Sequence, residues 1–285
     1  MHRFWILGLV LCWPLLAAGG DACGSDSPEL AAAFDHLYNF NFAASHAVLD
    51  GYIAAHPAEP LPYGVRASAY LFYELDRLGI LESQFLISDK RIADKKTIRP
   101  DQEVRAKLLQ ALDDAESRAT AALAVNPNDR QALYTMSVVE GVTTDYMALV
   151  EKHQIASLSS AKRSNNYAQQ LLKMNPPCYD AYMTAGLSEY MIGSLPFFIR
   201  WFVRFDNVEG NKEQGVKNLE LVSREGHYLK PFAKILLCII DLREKKPRDT
   251  EKLLEELAHD YPSNPLFRRE LAKLSPGAPG SSAQN

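Results

Sequence analysis

Four cysteines in 285 residues are too few for a disulfide framework, and no Cys-x-x-Cys or His-x-x-x-His spacing marks a zinc site. Cys12 lies in a leading apolar run, which leaves Cys23, Cys178 and Cys238. Two packed thiols and one exposed near the N-terminus are expected. The chain also lacks a Gly-x-Ser-x-Gly elbow, a Glu-x-x-His pair and any glycine-rich loop that could cradle a phosphate. Its formal net charge is −4. That gives it no electrostatic reason to hold a polyanion, so no nucleic-acid partner is expected. No stretch alternates apolar and polar residues with the period of a strand. Beyond the N-terminal run, no segment reaches about 18 apolar residues without a charge, so no membrane span is expected.

The N-terminus reads as an address. Met1–Arg3 is basic, Phe4–Leu16 is apolar apart from Pro14, and Ala17–Ala22 is rich in small residues. These are the three regions of a secretory signal peptide, expected to occupy 1–22 with cleavage near Gly19 or Ala22. The Gly20-Asp21-Ala22 sequence before Cys23 is a poor lipid-acceptor context, so a lipoprotein is not expected. The remaining chain of roughly 263 residues is longer than a typical compact domain but suits one elongated array of repeats over 23–274. Residues 275–285 are Pro, Gly, Ser and Ala-rich and read as a disordered tail.

Repetition shows in four prolines, Pro57, Pro127, Pro176 and Pro262. Each follows an amphipathic stretch, Ala43–Ala55, Arg105–Val125, Ser164–Met174 or Thr250–His259, and each is placed to end a helix. Twelve residues before them stand Ser45, Ala115, Ser164 and Thr250; ten after stand Ala67, Ser137, Gly186 and Ala272. All eight are small. At a background of about 0.3 for such residues, the chance is about one in ten thousand. Tyr63, Leu133 and Tyr182 supply large side chains six after their prolines, and Arg268 departs from that pattern.

These offsets resemble the tetratricopeptide repeat, about 34 residues forming two antiparallel helices, whose crossings demand small residues and whose end carries a proline. The spacing between the prolines, 70, 49 and 86 residues, implies divergent repeats with inserts near Gly79–Pro100, Met147–Ala161 and Ser194–Asn211. Tyr38-Asn39-Phe40-Asn41-Phe42, Gly186–Tyr190 and Leu257–Asn264 are similar to segments of exported bacterial helical-repeat proteins and of the tetratricopeptide-repeat 39 family. The resemblance spans about residues 28–274. It implies an all-α, right-handed solenoid of antiparallel helix pairs that presents a binding surface. Helices are expected near 28–39, 42–55, 61–78, 101–125, 129–150, 155–174, 178–192, 211–225, 228–244, 248–260 and 264–274.

Candidate contact residues are aromatic and basic. Tyr63, Tyr70, Tyr134, Tyr182 and Tyr190 fall in the first helices of repeats, where they either pack between repeats or line a groove. In Phe197–Phe205, five aromatics including Trp201 share one helical arc, and Arg200 and Arg204 share the other face. That helix is a buried insert, a partner-binding face or a shallow membrane contact. Glu140, Asp145 and Glu189 are carboxylates that could serve acid–base chemistry or a metal, or could simply be solvated. The histidines do not cluster, and Lys90–Lys96 reads as a solvated loop.

The expected function is therefore a non-catalytic scaffold, periplasmic or secreted, that binds a protein or peptide and needs no cofactor or metal. One alternative is a subunit of a membrane-associated envelope complex docking through 197–205. A lesser one is a metal- or ligand-dependent enzyme module.

Overall fold

The computed structural model describes Cys23 and residues 26–94, 99–195 and 208–274. Residues 1–22, expected to be a signal peptide, residues 275–285, expected to be a disordered tail, and the aromatic segment with Arg200, Trp201 and Arg204 lie outside the described residues. The described chain is helical throughout, with no strand beyond a single bridge residue, Val208. In order come α1 (Pro28–Tyr38), α2 (Phe42–Ala55), α3 (Leu61–Arg77), the short α4 (Ser83–Leu86) and α5 (Asp89–Ala93), and α6 (Gln102–Val125). Then follow α7 (Arg130–Asp145), a π turn (Tyr146–Val150), α8 (Gln154–Met174), a 3-10 turn (Tyr179–Ala181) and α9 (Tyr182–Ser194). The chain closes with α10 (Lys212–Glu225), α11 (Lys230–Arg243), α12 (Pro247–Asp260) and α13 (Pro265–Leu274).

Local chemistry sets the boundaries. Ser27, Asp101, Asp129 and Asn211 accept backbone N–H groups from the first turns of α1, α6, α7 and α10. The four repeat prolines each stand two residues beyond the end of α2, α6, α8 or α12. The 79–100 insert carries α4 and α5. The 147–161 segment is not an insert; the π turn and the start of α8 run through it with only Glu151–His153 between.

Consecutive helices pack as neighbouring pairs, and small residues stand where each pair crosses. Ser45 Oγ donates to Ala33 O at 2.8 Å between α1 and α2. Ala67 and Ala115 are fully buried in the core shared by α3 and α6. Ser164 Oγ donates to Ser137 O at 2.7 Å between α7 and α8. Thr250 Oγ1 donates to Cys238 O at 3.4 Å between α11 and α12. Between α9 and α10 two glycines meet: a Cβ on Gly186 would stand 2.9 Å from Gly215 O, and one on Gly215 would stand 2.6 Å from Tyr190 N. Ala272 differs, being exposed on the last described helix, which no further pair covers. Gly186→Leu and Gly215→Ala should each lower stability by about 1–3 kcal/mol, because backbone rather than a flexible side-chain tip stands in the way. Unchanged urea midpoints for both would contradict this packing.

The chain curls until its ends meet. The Phe34 and Tyr228 rings stack at 4.6 Å, Tyr38 lies 5.4 Å from Tyr261, and Asn264 Nδ2 donates to Tyr38 O at 2.9 Å. Phe72 of α3 meets Phe232 of α11 edge-on at 5.5 Å. Arg243 of α11 donates to Leu86 O at 2.7 Å and pairs with Asp89, so the 79–100 insert is tied to the C-terminal half. One core cluster joins α1, α2, α3, α7 and α8 with Cys178, Ala181 and Tyr228. Cys23 and Cys178 are both fully buried and form a disulfide, with Cα atoms 4.8 Å apart across 155 residues of sequence. This corrects the expectation of a free thiol exposed near the N-terminus. Among the described residues Cys238 is the free cysteine, and it is buried.

Candidate functional site

One face of α3 carries Tyr63, Arg66, Tyr70 and Tyr73, spaced three, four and three residues apart, so the four form one stripe along the helix, buried at Tyr63 and exposed at Tyr73. Phe42, His46 and Asp50 form the matching stripe on α2, four residues apart. The stripes pair rung by rung. Phe42 meets Tyr73 edge-on at 5.8 Å, His46 lies over Tyr70 at 4.2 Å, and Asp50 accepts from Arg66 at 2.5 Å. Phe40, held at φ +59°, adds its ring to the Phe42 end at 5.2 Å. On the other flank, α6 presents Lys107, Gln110 and Asp114. With Tyr63, Arg66 and Tyr70 they enclose an open groove of about 330 Å3, kept clear by the short side chains of Ala106 and Ala111.

The groove walls are braced. Arg118 lies 3.9 Å above the Tyr63 ring and donates to Pro57 O at 2.7 Å and to Asp114 at 2.8 Å. Tyr63 OH donates to Pro57 O at 3.1 Å. The floor is less committed. Among the described residues the Tyr70 hydroxyl has no partner, and His46 Nδ1 is buried without one. Burial lowers the His46 pKa, and Arg66 and Lys107 push it the same way against Asp50. The imidazole therefore sits in a net positive field.

On α7 the equivalent positions are closed. Leu133, Met136 and Glu140 on α7 are all buried, and Glu140 is clamped by Arg163 of α8, whose Nη2 donates at 2.9 Å. On α9, Glu189 accepts from the Gly210 and Asn211 N–H groups at 2.9 and 2.7 Å. These two carboxylates thus hold structure and are not brought together as an acid–base pair. Among the described residues no group of three His, Cys, Asp or Glu is placed to hold a metal ion.

The candidate tyrosines divide. Tyr63 and Tyr70 line the groove. Tyr134 is buried in the central core and donates to Asp180 Oδ2 at 3.2 Å, so it packs rather than lines a wall. Tyr182 lies half-buried against the α9–α11 core. Tyr190 is buried there, its hydroxyl donating to Glu244 at 3.3 Å and its ring beneath Lys212. Sequence reasoning missed Arg66 and Lys107 at the groove and His46 against Tyr70, because a residue beside a crossing position points about 100° away from it and only the neighbouring helices decide what it meets.

Asp145 ends α7 where the helix widens into the π turn, and it has no hydrogen-bond or ion-pair partner among the described residues. Burial pushes its pKa from 3.8 up to about 7. A folded pKa above the unfolded one means that the native state holds the proton more tightly. This contribution to stability is therefore full below about pH 4 and is lost as the pH rises through about 7. Asp145→Asn should stabilise the protein at pH 8 by about 1–2 kcal/mol, read as a higher urea midpoint, and leave the midpoint nearly unchanged at pH 4. Equal effects at both pH values would refute the burial account.

Compared with protein-family models, curated proteins and solved structures, the chain matches none.

Proposed function

We propose that the chain is an exported, tetratricopeptide-like scaffold that binds a protein or peptide partner in the cell envelope without catalysis, and that the α2–α3–α6 seam is its binding surface. The observation that carries this reading is the contrast between seams. Thirteen residues after their prolines, Glu140 on α7 is buried and clamped by Arg163 and Glu189 on α9 is engaged with backbone N–H groups, whereas Tyr70 on α3 lies half-buried beside Arg66 at an open groove. Tyr and Arg are the residue types that dominate contact energies at interfaces. The inner wall of the curled array offers less, since Tyr38, Tyr134 and Tyr228 are packed there.

Export is supported by the N-terminal address and by the Cys23–Cys178 bond, because long-range structural disulfides persist in oxidising compartments. A sulfur held in that bond is also not available to carry a lipid. No described helix is long and apolar enough to cross a membrane.

The test compares pull-downs from an envelope extract with the mature protein, its Tyr70→Ala variant and its Trp201→Ala variant. A partner kept by Trp201→Ala and lost by Tyr70→Ala supports the seam. The opposite pattern would move the binding surface to the 197–205 segment and favour the envelope-complex alternative.

A further inference from the structure

The seam has direction as well as chemistry, and the geometry points to its ligand: an extended peptide segment with an acidic side chain three residues from an aromatic or large aliphatic one. This deepens the seam reading and rests on it. At one end stand the Phe40, Phe42 and Tyr73 rings, with Tyr73 41% exposed. At the other stand the Arg66 guanidinium and the Lys107 ammonium. Tyr73 and Arg66 are seven residues apart on one helix, about 10 Å at a rise of 1.5 Å per residue. An extended chain covers that distance in about three residues at roughly 3.3 Å each. Tyr70, halfway along, leaves its hydroxyl free to bond the peptide backbone between the two anchors.

Charge selects the acidic end. Asp50 and Glu103, which pair with Arg66 and Lys107, are largely exposed, 71% and 77% for their side chains. Ion pairs of that kind contribute little, so an incoming carboxylate can replace either partner at small cost. The gain is larger in the groove, where Arg66 is mostly shielded from solvent and its guanidinium can bond a carboxylate through two N–H groups. His46 reports the same field. The charged groups facing it are Asp50 on its own helix, Arg66 on α3 and Lys107 on α6. A bound carboxylate would offset the two cations and let the imidazole take up a proton at a higher pH than in the free protein.

The experiment is selection of a phage-displayed random heptapeptide library against the mature, disulfide-intact protein, repeated with Lys107→Glu, with Arg66→Glu plus Lys107→Glu, and with Tyr70→Ala. Lys107 is half exposed, so its substitution does not threaten folding, and thermal melts check the other two. Selected peptides should share an Asp or Glu three positions from Phe, Tyr, Trp, Leu or Met. They should bind Lys107→Glu about tenfold or more weakly. The doubly substituted protein should instead select Lys or Arg at that position. With a synthetic peptide of the selected sequence, the His46 ring titration followed by NMR should move to higher pH. Peptides that need Tyr70 but show no acidic preference would overturn this inference and leave the seam reading standing. Peptides indifferent to all three variants, or no selection at all, would overturn both.

Discussion

Asp180→Ala should lower the stability of the protein by about 3–5 kcal/mol, the range seen when one partner of a buried charged network is removed. The carboxylate is 1% exposed and accepts four hydrogen bonds. Oδ1 takes the N–H groups of His227 at 2.8 Å and Leu229 at 3.3 Å, and Oδ2 takes the Tyr228 N–H at 2.8 Å and the Tyr134 hydroxyl at 3.2 Å. Three successive backbone donors at the entry to α11 thus depend on one side chain from the turn before α9. Burial pushes the Asp180 carboxyl up, and those four bonds pull it back. Alanine would leave all four donors without a partner in the core, each at a desolvation cost of about 1–3 kcal/mol. Asp180→Asn should recover part of the loss, since an amide oxygen still accepts two bonds while the amide NH2 faces donors. Urea unfolding with an unchanged m-value reads this directly. A loss below about 1 kcal/mol would mean that the N–H groups find other partners.

Removing the Cys23–Cys178 disulfide should have an effect of similar size. The bond closes a loop across 155 residues, for which loop-closure entropy alone suggests about 5 kcal/mol, and measured losses commonly fall near 2–5 kcal/mol. It fixes the start of α1 against the α8–α9 corner, two residues from Asp180, where Ser27 N also donates to Tyr228 OH at 3.3 Å. Cys23→Ser with Cys178→Ser should therefore lower the urea midpoint markedly, and reductant should not lower it further. Unfolded protein lacking residues 1–22 should show one reactive thiol without reductant, Cys238, among its three cysteines. Three thiols in the exported, unreduced protein would contradict the pairing. Because Asp180 and the disulfide brace the same corner, their effects should not add when combined.

The helices were legible because the residues that set their ends act locally. Pro57, Pro127, Pro176 and Pro262 each end a helix through backbone sterics, and the small positions counted from them are buried where helices pack, except at the exposed Ala272. The α9–α10 crossing was half visible: Gly186 follows Pro176 at the expected offset, but Gly215 lies on a helix that ends at Gly226 without a proline to count from. Ala33 and Cys238 were missed for a related reason, since their register becomes readable only through Ser45 and Thr250 across the crossing. Long-range features leave no such trace. Nothing about Cys23 or Cys178 in sequence says that the chain will curl to bring them together, and a carboxylate such as Asp180 that bonds backbone N–H groups imposes no residue pattern on its partners. The tyrosines show the limit at the site itself. Tyr63, Tyr70 and Tyr134 look alike on helical periodicity, and only the packing of neighbouring helices buries Tyr63 and Tyr134 and leaves Tyr70 half-buried at the groove.

The most direct test of the seam as the binding surface is site-specific photo-crosslinking in the exported protein. A photoreactive phenylalanine analogue is placed at Tyr70 in the groove or at Ile155, which is 87% exposed on α8 away from it. Both proteins are irradiated in the native envelope. The account predicts a discrete adduct with a protein partner from position 70, diminished by Arg66→Glu plus Lys107→Glu, and none from position 155. The same adduct from both positions, or none from position 70 while one forms from position 155, would contradict it.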